Sequence, residues 1–311
     1  MGITHFDDAP AHEAAVGHIR GRWTELGGAA GSVTVGVRRI QIPAGYWSTP
    51  AHEHGLEEEI FYVLAGRGMS WQRERTTDVR AADCIAYLPR RGAHSLHALE
   101  DLDVLAFGPR HDDESPRFPR LGLSLIGNRA VESLPGSIEG VPIQFVREAE
   151  IGPPELPEPG EQPGTIVNVA DVEGYRWGRG PVESIRRDLG QAIGSAITGL
   201  KHVEVAPGKD ATPLHCHSQE EEIFVVLGGG GVLVLDGEGE TAVRAGHVVA
   251  RPAGTGVAHQ FRAGDDGLTF LAYGTREPGD MCYYPRSNKI SFRGLDVIGR
   301  LERLDYWDGE D

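Results

Sequence analysis

Two histidines stand one residue apart in Pro213-Leu-His215-Cys216-His217-Ser-Gln-Glu-Glu-Glu222. In a β-strand, side chains i and i+2 point to one face, so His215 and His217 aim both imidazoles at a common point while Cys216 points away. A tight turn through residues 218–221 then returns Glu222 beside them, at the head of the apolar run Ile-Phe-Val-Val-Leu. A further histidine, His259, follows the Pro/Gly turn Pro252-Ala-Gly-Thr-Gly-Val-Ala. Imidazoles with one carboxylate form a ligand set for Fe, Mn, Ni, Co, Cu or Zn. Three histidines and one glutamate leave one or two positions open on a five- or six-coordinate ion. Substrate or dioxygen can bind there, with the metal as Lewis acid or template.

The same arrangement occurs earlier in the chain. An offset of 163 residues carries Gly208, His215, His217, Glu222 and Gly229 onto Gly45, His52, His54, Glu59 and Gly66. After a two-residue slip His259 matches His94, and one further slip aligns Tyr284-Pro-Arg with Phe118-Pro-Arg. A lone histidine on a strand is usually an ordinary core or surface residue. Two complete sets are read as two metal sites, one from His52, His54, Glu59 and His94, the other from His215, His217, Glu222 and His259. Glu59 and Glu222 each close a run of three glutamates, and the spacing to the following glycine selects them. Glu57, Glu58, Glu220 and Glu221 are read as solvated charges, and His97, His202 and His247 are not read as ligands. Cys84, Cys216 and Cys282 are read as small buried hydrophobes. A two-unit repeat of this length means duplicated domains, not a solenoid.

These motifs resemble those of the cupin superfamily: Gly, a short spacer, His-x-His, a short spacer, Glu, six residues, Gly, and then a Gly/Pro turn leading into a histidine. Both occur in both halves, so the chain resembles a bicupin, similar to a group of bacterial bicupins. The departures lie in the first half, where Ala82-Asp83 stands in place of Gly-Asp and Arg91 crowds the turn before His94. The resemblance implies an all-β chain of two tandem cupin jelly-roll β-barrels (double-stranded β-helix) joined by a Pro-rich linker. It also implies a divalent transition metal (Fe, Mn, Ni or Zn) at each of two sites. The expected activity is a metal-dependent, dioxygenase-like oxidoreductase acting on a small oxygenated organic molecule. The alternatives are a non-oxidative metal-dependent decarboxylase or isomerase, and a non-catalytic small-molecule-binding or storage cupin. The second half keeps glycines 246, 254 and 256 around its turn, which points to the second site as the catalytic one. Arg90 and Arg91 are expected to weaken metal binding in the first.

The elements that must position these residues are short strands. Alternating β-branched stretches separated by Gly/Pro turns indicate a sandwich or barrel, and Gly is 43 of 311 residues. The segmentation reads 1–20 as an N-terminal arm, 21–128 as the N-terminal cupin domain, 129–184 as a Pro/Gly-rich linker with one strand near 166–172, and 185–311 as the C-terminal cupin domain with its tail. A hairpin is expected between 59–64 and 69–72, and the tail aromatics Tyr306 and Trp307 are expected to dock on the second barrel. A net charge of −16 opposes nucleic-acid and anionic-membrane binding. With no signal-peptide pattern, no long apolar run and only three cysteines, a cytoplasmic location is expected. The expected partners are a small-molecule substrate and a second copy of the chain.

Overall fold

The alternating stretches become strands because β-branched and aromatic side chains pack well on a pleated surface with one buried face. The computed structural model describes residues 2–126, 129–130, 137–138 and 141–310. Its first half builds a seven-stranded antiparallel sheet in the order Ile166–Asn168, Asp83–Tyr87, Glu59–Ala65, Leu102–Pro109, Val35–Ile42, Ile19–Glu25 and Ala11–Val16. A smaller sheet of Arg75–Arg80, Arg67–Gln72 and His94–Ala98 completes the barrel. The second half repeats the order with Gly2–His5, His247–Arg251, Glu222–Leu235, His259–Thr275, Thr198–Val205, Ser184–Asp188 and Tyr175–Trp177. Two tandem jelly rolls are therefore the observed architecture. No helix among the described residues is long and apolar enough to cross a membrane.

Strand parity divides most of the apolar residues between three large cores, beside a small cluster of Leu214, Val234 and Ala258. Phe61 and Val63 point into the first barrel with Trp47, Trp71 and Tyr87, and Phe224 and Val226 point into the second with Phe261 and Phe270. Their strand neighbours Ile60, Tyr62, Ile223 and Val225 point the opposite way, into a seam between the halves. There the Phe107 and Tyr273 rings meet with centroids 5.1 Å apart.

The glutamate triplets obey the same parity, which corrects their reading as solvated charges. Glu58 and Glu221 are each only 1% exposed. Glu58 reaches across the seam to accept from the Thr198 backbone N–H at 2.8 Å and from the Ser195 and Thr198 hydroxyls. Glu221 reciprocates, accepting from the Val33 N–H at 2.8 Å and from the Thr34 hydroxyl at 2.6 Å.

The structure revises four further expectations. Residues 1–20 contain two strands, too short to show a period: Ala11–Val16 pairs with Ile19–Glu25, while Gly2–His5 crosses to His247–Arg251 of the second half. In return Ile166–Asn168, from the segment read as linker, pairs with Asp83–Tyr87 of the first half. That segment also holds the helix Ile143–Ile151, and its Pro-rich part runs along the first barrel. Trp71 Nε1 donates to the Glu155 carbonyl at 3.0 Å, and Thr76 Oγ1 to that of Pro157 at 2.6 Å. The expected hairpin between 59–64 and 69–72 does not form, because Gly66 turns the chain from one sheet into the other. Gly66 has φ +86°, and a Cβ there would meet the Asp101 carbonyl oxygen at 2.0 Å, so only glycine fits. Tyr306 and Trp307 do not dock: they are 84% and 68% exposed and pack edge-on against each other at 4.9 Å.

Candidate metal centres

Each set of four predicted residues converges. In the first half, His52 and His94 are backbone partners across the barrel, with N···O distances of 3.2 and 2.8 Å. Glu59 opens the next strand on the inward parity. Its Oε2 lies 2.9 Å from His94 Nε2, 3.3 Å from His54 Nε2 and 3.8 Å from His52 Nε2. All four donor atoms fall within 4.8 Å of one another. In the second half Glu222 Oε2 lies 3.2 Å from His259 Nε2, 3.6 Å from His217 Nε2 and 3.9 Å from His215 Nε2. His97, His202 and His247 belong to neither cluster.

On His52, His215 and His217 the nitrogen facing away from the centre is anchored, which fixes ring orientation. His52 Nδ1 meets the Pro50 carbonyl at 2.9 Å, and His215 Nδ1 that of Pro213 at 2.8 Å. His217 Nδ1 meets Asp280 Oδ2 at 2.7 Å, and His54 Nδ1 lies 3.6 Å from Glu114 Oε1. These two carboxylates also hold the ligand loops. Glu114 accepts from the N–H groups of Gly55, Leu56 and Glu57, and Asp280 from those of Gln219 and Glu220. Sequence reasoning missed both. The signal was present: each lies four residues before the repeated Pro-Arg pair's aromatic, so the repeat places acid on acid.

The first-half turn reaches the same backbone as the second despite its substitutions. Ala82 and Arg90 adopt φ +68° and +60°, where the second half has Gly246 and Gly254 at +90° and +70°. Arg90 and Arg91 are exposed, and Arg90 Nε donates to the Gly55 carbonyl at 3.0 Å. Water therefore screens these charges, and the expected weakening of the first site loses its basis.

The donors fit a divalent ion. Burial, then His94 and His54, drives His52 down to about 3, so it presents a neutral lone pair. Burial, then His259, does the same to His215, at about 3. Burial alone would favour protonated Glu59 and Glu222, yet the surrounding imidazoles hold both below the usual carboxylate range. Glu222 Oε2 and His259 Nε2 are buried without a well-formed hydrogen bond, and such orphans call for an ion or water.

His54 supplies a test. Burial opposes its charge, but Glu59 and Glu114 outweigh burial and raise the ring to about 10. At neutral pH a metal must therefore displace a proton from His54. First-site affinity is expected to rise about tenfold per pH unit through the neutral range, and to fall as pH drops. Calorimetric titration in buffers of different ionisation enthalpy should show about one proton released per first site. Heats independent of buffer would refute a protonated His54.

The cupin domain model matches residues 38–107 and 201–272, each stretch enclosing one complete ligand set. The oxalate decarboxylase of Bacillus subtilis, in a structural study of its Mn(II) centres, superposes with a TM-score of 0.59 at 17% identity, covering 90% of this chain and 78% of that one. The oxalate decarboxylase of Lactobacillus farciminis, as a formate complex, gives a TM-score of 0.59 at 16% identity, covering 88% of this chain and 86% of that one. No curated protein sequence matches the chain significantly. With one cupin domain in each half and a fold shared along nearly the whole length, the chain is a bicupin of the cupin superfamily.

Proposed function

We propose that this chain is a metal-dependent enzyme that decarboxylates a small organic acid, with its chemistry at the second site. The observation that carries this reading is the convergence of His215, His217, Glu222 and His259 beside a buried arginine. Arg251 sits directly opposite Glu222 across two strands and shares a small cavity with His217, Glu222 and His259. It is 7% exposed; Nη2 donates to the Val257 carbonyl at 2.8 Å, and Nε has no partner among the described residues. Burial lowers its pKa, but a guanidinium stays charged at neutral pH. A fork of that charge suits a carboxylate. The first half has Tyr87 opposite Glu59 instead, its ring stacked on His94 at 3.9 Å. The fold shared with oxalate decarboxylases supports acid cleavage over the oxygenase chemistry expected from the motifs.

A divalent metal of the Fe, Mn, Ni or Zn class, when bound, supplies Lewis-acid polarisation and a template. The chain's own residues do the rest. Asp280 and the Pro213 carbonyl hold His217 and His215 in register, and Arg251 binds and orients the acid. The test loads the protein with Mn, Fe or Zn and challenges it with short-chain keto, hydroxy and dicarboxylic acids, following carbon dioxide release and oxygen uptake. His217→Ala is expected to abolish turnover, His54→Ala to leave measurable activity, and Arg251→Gln to raise KM at least about tenfold. Oxygen uptake would return the reaction to the oxygenase expectation. The reverse order of the histidine variants would move the chemistry to the first site. Binding of metal and acid without either gas change would identify a binding protein.

A further inference from the structure

We infer that Cys282 is an additional donor in the second site, giving that site a sulfur ligand that the first lacks. The inference rests on the reading that the second site holds a metal. The strand Met281–Tyr284 runs antiparallel to Cys216–His217 and sets Cys282 directly opposite His217. Residues directly opposite in such a pair share a face, so the thiol lies on the side of the His217 imidazole, while Cys216 faces away. Donor atoms of His215, His217 and Cys282 all lie within 4.8 Å of one another. Two donors on one ion sit roughly 3 to 4.5 Å apart, given bonds of about 2.0 Å to nitrogen and 2.3 Å to sulfur. Modest closure brings the thiol into that range.

Two further observations point the same way. His259 is 3% exposed with an unsatisfied Nε2 that calls for an ion, and its cluster with His215 and Glu222 shares His215 with the cluster of His215, His217 and Cys282. The repeat also supplies a control. Glu53 bridges Arg117 as Cys216 pairs with Tyr283, so the first-half residue corresponding to Cys282 is Pro116, which has no donor. Three nitrogens, one oxygen and one sulfur leave one position of a six-coordinate ion for substrate. Thiolate favours softer ions such as Zn(II) or Co(II), whereas the all-N/O first site suits Mn(II). The two sites are thus built for different metals.

Cobalt(II) titration of the full chain tests this. A near-ultraviolet sulfur-to-cobalt charge-transfer band should saturate at one equivalent per chain. It should vanish in Cys282→Ser and persist in Cys216→Ser, while visible cobalt bands remain in both. Zn(II) affinity of the second site should fall at least about tenfold in Cys282→Ser. X-ray absorption of the zinc-loaded wild type should show a sulfur shell at about 2.3 Å, which decides the matter even if the serine variant fails to fold. Visible cobalt bands without the charge-transfer band, or a zinc spectrum of nitrogen and oxygen alone, would overturn the sulfur donor and leave the metal site standing. A band lost in Cys216→Ser instead would overturn it too. Failure of the second site to bind cobalt or zinc at all would overturn both this inference and the reading beneath it.

Discussion

Stripping metal from the protein is expected to lower its melting temperature by on the order of 10 °C. Each ligand set is assembled from three separate segments, such as 52–54, the strand Glu59–Ala65 and the strand His94–Ala98. The unfolded chain offers no comparable cluster, so bound metal favours the folded state by mass action. With free metal a thousandfold above its Kd, each site adds about 4 kcal/mol, and two add about 8. For a chain of 311 residues, 1 kcal/mol moves the midpoint by about 2 °C or somewhat less. Calorimetry with and without chelator reads the shift directly. His54→Ala and His217→Ala should each keep about half of it, and elemental analysis of metal-replete protein should find close to two ions per chain. Coincident melts of stripped and loaded protein would remove metal from the stability of the fold. One ion per chain after reconstitution would remove a site.

Glu58→Ala is expected to cost about 3–5 kcal/mol, and Glu221→Ala clearly less. Glu58 satisfies the backbone N–H and hydroxyl donors of Ser195 and Thr198, which are buried in the seam, whereas Glu221 satisfies those of Val33 and Thr34, which are exposed. Truncating Glu58 leaves buried donors without an acceptor, at about 1–3 kcal/mol apiece, while water can reach those freed by truncating Glu221. Glu58→Gln keeps the shape and one acceptor oxygen, and should cost clearly less. Urea unfolding of these three single variants measures the difference. Alanine variants as stable as the wild type would show that the seam holds without these bridges.

The candidate sites were legible because their residues are local. His-x-His, Glu and the turn before the last histidine lie within 45 residues in each half, and strand parity alone predicts that they converge. Repetition separated them from ordinary core histidines. What stayed hidden depends on contacts distant in sequence. Asp280 lies 63 residues from the His217 it orients, and Glu58 lies 137 from Ser195. No periodicity distinguishes Glu58 from its half-buried neighbour Glu57, since burial of a charge is decided by the opposing surface. The pairings of Gly2–His5 and Ile166–Asn168 were equally invisible, because four- and three-residue strands carry no pattern and take their order from the edge they join.

That exchange of edge strands has a consequence for the chain's history and its divisibility. Each half lends its first strand to the other, and each half's middle glutamate grips the other's loop, so the seam is the same patch meeting itself about an approximate two-fold axis. This is how an isologous homodimer is built. The duplication reads as two identical subunits sewn end to end, with the Pro-rich strap as the stitch. Neither half is then a self-sufficient unit. Separated, each would bare an unpaired sheet edge and a strip of apolar seam, the surface on which strands from other molecules assemble.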